Sequence, residues 1–273
     1  MADSVVLQGA LLESGAAPAG GAPAKIWSGA WLMAIRSLRL SLRAIDGLVV
    51  ALALPVILMG LFVYLFGGAI HTGARYIDYV VPGVLVVCVG YSAVTTSISV
   101  AHDLNEGIVD RLRSMDIGGV SFMSGHVLAG AVRNLISTVL VLGVAFAMGF
   151  RAHAGALDWL EALALLTLCV LAYTWLTATL GTLARSAEAA NGMGFLVGFV
   201  AYPSSAFVPV NDMAPWVRGF AHHQPVTPIV NTLRGLLDGA RGTDSWVAVA
   251  WCFGIIALSV ALAGWLFRIR TEN

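Results

Sequence analysis

The densest run of charge in the sequence is His102-Asp-Leu-Asn-Glu-Gly-Ile-Val-Asp-Arg-Leu-Arg-Ser-Met-Asp116. Wound as a helix, it brings Leu104, Ile108, Leu112 and Met115 within about 80° of one another and sets Glu106, Asp110 and Arg113 opposite them. A short helix with a narrow apolar ridge fits a groove on a soluble partner. The same residues also fit a solvated loop helix held by an i,i+3 pair between Asp110 and Arg113, and by themselves they do not choose. The other reactive side chains point to little chemistry. His222 and His223 are neighbours whose side chains diverge on a helix, and no Cys or third His is near them in sequence, so no metal site is expected. Cys88, Cys169 and Cys252 lie far apart in apolar runs without a Cys-x-x-Cys, which indicates neither a disulfide framework nor a zinc site. Asp158 and Glu161 beside His153 come nearest to a catalytic cluster, but read more simply as the polar edge of an apolar span. The single lysine, Lys25, sits in Ala-Pro-Ala-Lys-Ile rather than in the Gly-x-x-x-x-Gly-Lys-Ser/Thr that lets a lysine reach phosphates. The chain has no P-loop with which to hydrolyse ATP.

The elements that carry these residues belong in lipid. Of 273 residues 59% are hydrophobic and 11% charged, and the mean hydropathy is +0.86, so there is too little polar surface to clothe a water-facing exterior. Fifteen basic and fifteen acidic residues cancel, and nothing in bulk charge points to nucleic acid. Apolar runs of about 20 residues predict six spans: Leu48 to Phe66, Tyr79 to Ala101, Val120 to Phe150, Trp159 to Leu183, Ala189 to Val208 and Trp246 to Phe267. The fifth is glycine-rich, and Pro203 predicts an irregular end. The third contains Arg133, which at 1.5 Å per residue lies roughly 25 Å from Phe150, close enough to the far edge of the hydrocarbon to snorkel to the headgroups. No ionisable residue is expected at the middle of any span.

Six spans put both termini on one side. With that side cytoplasmic, ten basic residues lie inside (Lys25, Arg36, Arg39, Arg43, Arg111, Arg113, Arg133, Arg185, Arg268 and Arg270) against five outside (Arg75, Arg151, Arg218, Arg234 and Arg241), as the positive-inside rule requires. The expected location is the cytoplasmic membrane, with both termini inside. Residues 1–24 read as a flexible Ala-, Gly- and Pro-rich tail, not a signal peptide. From Lys25 to Ala44, Trp27, Trp31, Ile35, Leu38 and Leu42 form one stripe beside a basic one, the layout of an amphipathic helix lying in the interface. In the outer segment 211–245, Thr227-Pro228 reads as an N-cap followed by Pro at the first helical position, and Ile229, Leu233, Leu236 and Leu237 form a stripe closed by Gly239. With Trp216 and Phe220 in a preceding short helix, this predicts a re-entrant helical hairpin.

Three motifs carry a resemblance: Glu106-Gly-Ile-Val-Asp-Arg-Leu-Arg-Ser-Met115, His223-Gln-Pro-Val-Thr-Pro-Ile-Val-Asn-Thr-Leu-Arg234, and Val81-Pro-Gly83 opening the second span. In these the chain resembles the permease subunits of ABC type-2 exporters, within them the daunorubicin-resistance group, over essentially all of residues 25–273. The departure is Asp116-Ile-Gly-Gly119 after Met115, where the family usually has proline, and it bears on how that helix exits. The resemblance implies an all-α integral membrane protein with an ABC type-2 transmembrane domain at 25–273. Its parts would be six transmembrane helices, the interfacial helix, a cytoplasmic coupling helix and the outer hairpin. It implies a homodimer or pseudo-dimer of permeases sitting on two copies of an ATP-binding cassette subunit, with ATP and Mg bound there and no cofactor in this chain. Glu106, Ile108, Asp110, Arg111, Leu112, Arg113 and Met115 would then be gripped by the ATPase, and Trp216, His223, Pro225 and Pro228 would belong to an outer gate.

The family's cargo path runs at the dimer interface along the second and fifth spans. That implies Tyr91, Thr95, Ser99, Asn191, Phe195, Phe199 and Tyr202 as path residues, with Ser92 and Thr96 nearby. Equally, Ser and Thr in spans bond their own backbones, and Gly194-x-x-x-Gly198 is an ordinary packing motif. The expected function is export of an amphipathic drug-like or lipid-like compound. Export of a polysaccharide or lipid-linked glycan by the same architecture is the alternative. A secondary transporter or a membrane enzyme fits less well, for want of clustered ionisable residues.

Overall fold

Apolar stretches separated by short polar turns leave the backbone one economical solution in lipid, which is to satisfy its own hydrogen bonds as helix. The computed structural model describes residues 45–67, 75–106, 119–240 and 245–272. Among them every regular element is helical. Helix α1 spans Ile45–Leu61 and runs on through a π-helical turn at Phe62–Phe66; α2 is Tyr76–Asn105, α3 Gly119–Ala147 and α4 Ala156–Leu183. Helix α5 is Ala187–Phe199, the short α6 and α7 are Pro215–His223 and Val226–Leu237, and α8 is Ser245–Glu272. Four helices are long and apolar enough to cross a membrane: α2, α4, the Phe122–Ala147 part of α3 and the Ser245–Leu266 part of α8. A shorter apolar stretch, Leu52–Leu65, lies in α1. The tail at 1–24, the interfacial helix at 25–44, and Ile108, Asp110, Arg111, Leu112, Arg113 and Met115 fall outside the described residues.

Helix α2 is the axis of the molecule. Twenty-two of its 30 residues are buried, and α1, α3, α4, α5 and α7 all pack on it. Lipid tails are as apolar as leucine, so helices in a bilayer associate through close packing, and small residues permit it. A Cβ on Gly83 would stand 2.6 Å from the Ala206 Cα, one on Gly90 3.0 Å from the Gly198 Cα, and one on Gly194 2.9 Å from the Val94 side chain. Gly181 meets Ser97 in the same way. The Val81-Pro82-Gly83 opening of α2 is therefore the place where the chain at 204–207 crosses the helix. Helix α8 is the opposite case. Only 22% of its apolar window is buried, against 83% for α2, and it presents Trp246, Trp251, Phe253, Leu258 and Trp265 outward.

Two expectations are corrected. Arg133 does not snorkel: fourteen residues of α3 lie on either side of it, so it is a mid-helix residue and not a helix end. It is buried and its Nη2 donates to Thr96 Oγ1 on α2 at 3.2 Å. Gly130, one turn away, lies against the same Thr96, so α3 approaches α2 closely enough for the arginine to find protein instead of lipid. Thr227 is not an N-cap. Helix α7 starts two residues before Pro228, at Val226, with Pro225 as its cap, and Thr227 Oγ1 accepts from Ser205 N (3.3 Å) across the fold.

The fifth apolar run is helical for 13 residues only, about 20 Å against the roughly 30 Å of a hydrocarbon core. Pro203 has no N–H to offer the Phe199 carbonyl, and Tyr202 N takes that carbonyl in a tight turn (3.1 Å). The chain then runs on without regular helix through 200–209 toward the start of α2, its contacts passing from Gly90 at Gly198 to Gly83 at Ala206 and Tyr76 at Phe207. The stripe Ile229, Leu233, Leu236 and Leu237 is wholly buried, and Gly239 ends α7 with φ +71°, as the sequence implied.

Candidate substrate path and gate

The sequence-derived path residues fall into two sets. Tyr91, Phe195, Phe199 and Tyr202 come together as one aromatic cluster. The Tyr91 hydroxyl donates to the Tyr202 hydroxyl (3.4 Å), the Tyr91 ring meets Phe195 edge-on (5.3 Å), and Phe199 lies 5.3 Å from Tyr202. Tyr91 is buried in the α2–α5 seam, while Phe195 (48% exposed) and Phe199 (54%) turn away from it. They recur at intervals of four from exposed Asn191, so one side of α5 packs through Gly194 and Gly198 and the other carries an exposed aromatic stripe. Thr95 and Ser99 are half-buried and spend their hydroxyls on their own helix, donating to Ser92 O and Thr95 O at 2.8 Å. That is packing chemistry: it uses the hydroxyl protons and leaves the oxygens able to accept.

At the Tyr76 end of the bundle, α6, α7 and the turn at 200–209 are tied together. Trp216 is 85% exposed, and exposed His223 points Nδ1 at Gly219 O within its own helix (2.8 Å). Pro225 and Pro228 are half-buried in the first turn of α7 and its cap. What locks this layer is Arg234, the last residue of the His223–Arg234 motif. The Arg234 guanidinium stacks 3.7 Å over the Tyr79 ring. Its Nε donates to Tyr79 O (3.2 Å), Nη2 to Ser205 O (2.8 Å) and Nη1 to Asn231 Oδ1 (3.0 Å). One planar cation thus joins α2, the 200–209 turn and α7, which a lysine's single point charge does not do. Gln224 Nε2 adds a bond to Pro203 O (2.5 Å). Beside them lies a cavity of about 550 Å³ bordered by Tyr79, Asn211, His222, Thr227, Asn231 and Arg234. Arg234 stood inside the quoted His223–Arg234 motif, and that motif was the available signal. Tyr79 and Ser205 had none, because only the chain crossing at Gly83 brings them there.

On the same end, Arg75 pairs with Asp78 (2.9 Å), whose Oδ1 accepts from Arg151 N (3.1 Å), and His153 N donates to Leu237 O (2.9 Å). His153, Asp158 and Glu161 thus belong to the edge of α4 and the turn before it. At the Asn105 end, Glu106 is exposed and lies 3.2 Å from His102, and buried His126 of α3 meets Asp103 of α2 at 3.1 Å. Among the described residues no group of three His, Cys, Asp or Glu could hold a metal. Cys88, Cys169 and Cys252 are buried free thiols.

A helical bundle threaded through a bilayer, with an aromatic stripe on one flank and a tied layer at one end, has the form of a multi-pass membrane permease. The sequence profile described as ABC-2 type transporter matches residues 29–237, and the chain belongs to that family. It is accordingly a transport subunit, of a kind that pairs with an ATP-binding subunit. It is 26% identical over 223 residues to the daunorubicin resistance ABC transporter permease protein DrrB1 of Streptomyces coeruleorubidus, covering 81% of this chain and 79% of that one. It is 26% identical to the probable doxorubicin resistance ABC transporter permease protein DrrC of Mycobacterium tuberculosis, over 63% of this chain and 64% of the relative. A second permease of that organism, the doxorubicin resistance protein DrrB, is 23% identical over 66% of this chain and 65% of its own length.

Proposed function

We propose that the chain is the permease of an ATP-driven exporter that moves an amphipathic drug-like or lipid-like compound out of the cell. The observation that carries this is the stripe of Phe195 and Phe199 beside the Tyr91–Tyr202 pair. It is an apolar wall with a few hydroxyls at its edge, open on the side away from the bundle, and suited to a flat amphiphile. A second permease facing the stripe completes the path, so the working unit is a dimer seated on two ATP-binding subunits, which bind ATP and Mg. Helix α1, and α5 continued by the 200–209 segment, supply the remaining two of six spans. Both termini face the cytoplasm, which makes the Tyr76 end the outer one and α6 with α7 an outer gate. The 106–115 segment docks the ATPase. The drug-resistance names of the relatives support the cargo class, and no feature of the stripe favours a glycan.

The test is transport into inverted vesicles holding the permease and its cognate ATP-binding subunit, with a fluorescent planar amphiphile as cargo. Phe195→Ala and Phe199→Ala should lower uptake roughly tenfold while leaving basal ATP turnover intact, as loss of an aromatic contact worth about 1–1.5 kcal/mol implies. Arg111→Glu should abolish the coupling of turnover to cargo without affecting insertion. Unchanged uptake in both phenylalanine variants overturns the path.

A further inference from the structure

Helices α4, α7 and α8 meet at the Tyr76 end around a cavity of about 270 Å³. Leu165, Leu168, Leu236 and Val249 make its apolar wall, with Glu161 and Ser245 at the polar rim. Thr232 lines the same cavity. It is 5% exposed, and its Oγ1 has no hydrogen-bond partner. This is unusual in the chain: seven other described threonines, Thr167 and Thr174 among them, donate to a carbonyl three or four residues back. A buried hydroxyl left unmatched forfeits what a hydrogen bond is worth, so a group that fills the cavity and accepts from Thr232 recovers it.

The surroundings say what that group is. On either side of the cavity, α4 exposes Leu157, Leu160 and Leu163 and α8 exposes Trp246 and Phe253, a surface that acyl chains cover. Trp246 is the second residue of α8, and tryptophans at helix ends sit at the headgroup level. Glu161 and Ser245 share that level, whereas Leu168 lies seven residues, or about 10 Å, deeper along α4. The polarity of the cavity therefore falls with depth as it does along a phospholipid. At 270 Å³ it is below the roughly 300–1,000 Å³ that encloses a whole drug-sized ligand, and it suits one chain.

We propose that this cavity holds one acyl chain of a glycerophospholipid from the adjoining leaflet, its ester carbonyl accepting a hydrogen bond from Thr232 Oγ1. The lipid wedges between α7 and the two long helices and braces the layer that Arg234 ties. The site is independent of which side is outside and of what the permease exports.

The experiment uses the full chain in nanodiscs containing a phosphatidylcholine with a diazirine on its acyl chain near the ester. Mass spectrometry should find crosslinks in residues 161–168 and 232–236 above those on the exposed α8 surface at 253–258. Thr232→Val removes the hydroxyl without changing the shape, and should cut the cavity crosslinks roughly fivefold, the effect of one hydrogen bond, while the α8 crosslinks stay constant. Leu168→Trp, which fills the cavity, should abolish them. Cavity labelling no higher than on α8, or labelling unchanged in Thr232→Val, overturns the proposal. So does stronger cavity labelling by a diazirine-bearing alkylamine that has no ester, which assigns the cavity to cargo.

Discussion

Replacing Arg234 by methionine keeps most of its stem and deletes the cation that joins three parts of the chain. The bond to Ser205 O is the costly loss. Ser205 is 3% exposed, and a charge-assisted hydrogen bond there is worth about 1.5–3 kcal/mol, moderated because Tyr79 Oη also donates to that carbonyl (3.2 Å). The stack on Tyr79, part-exposed, adds about 0.5–1 kcal/mol. The bond to exposed Asn231 is replaced by water at little cost. The sum is roughly 2–4 kcal/mol, or a fall of about 4–7 °C in apparent melting temperature for a protein of this size. The assay is tryptophan fluorescence of the purified protein on heating. Arg234→Lys should fall about half as far, because it keeps the charge and loses the fork. Arg218→Met is the matched control. Among the described residues Arg218 bonds Asn211 O and Met213 O, seven and five residues away in its own segment, and its loss should shift the midpoint by under about 2 °C. If Arg234→Met lowers the midpoint no more than Arg218→Met, the three-way tie does not hold this end together.

Two further substitutions test the packing. Gly83→Ala places a methyl 2.6 Å from the Ala206 Cα and should destabilise by about 1–3 kcal/mol, whereas Gly143→Ala, with open space around it in α3, should stabilise by about 0.5–1 kcal/mol; thermal melts of the two should move in opposite directions. At the Asn105 end, a double-mutant cycle on His126→Ala and Asp103→Ala should give a coupling of roughly 1–3 kcal/mol, since both side chains are largely enclosed (5% and 16% exposed); additive effects would mean that the pair does not join α2 to α3.

The apolar runs announced α2, α3, α4 and α8 to within a few residues, because a bilayer leaves long apolar segments no alternative to helix. The buried face of α7 was equally legible from Ile229, Leu233, Leu236 and Leu237, a 3.6-residue period that needs no partner to be recognised. The aromatic cluster was named from a family pattern, and the structure gathers Tyr91, Phe195, Phe199 and Tyr202 while leaving Thr95 and Ser99 bonded to their own backbone. Arg133 shows where counting along a helix fails. Its depth was read from distance alone, and distance does not reveal that Gly130 lets α3 lie against Thr96 and give the cation a protein partner.

The sequence by itself determined the solvent, the helical class, most span positions and the absence of a P-loop, all of which follow from composition and local periodicity. Tertiary structure alone decided which helix is central, where α5 breaks into the turn at 200–209, and that Arg234 rather than the histidines ties that end. Those outcomes rest on contacts between residues far apart in the chain, such as Gly83 with Ala206 and Tyr79 with Ser205 and Arg234. A local pattern states that a glycine is small and an arginine charged; only the crossing of the chain supplies the backbone that the one admits and the carbonyls that the other binds.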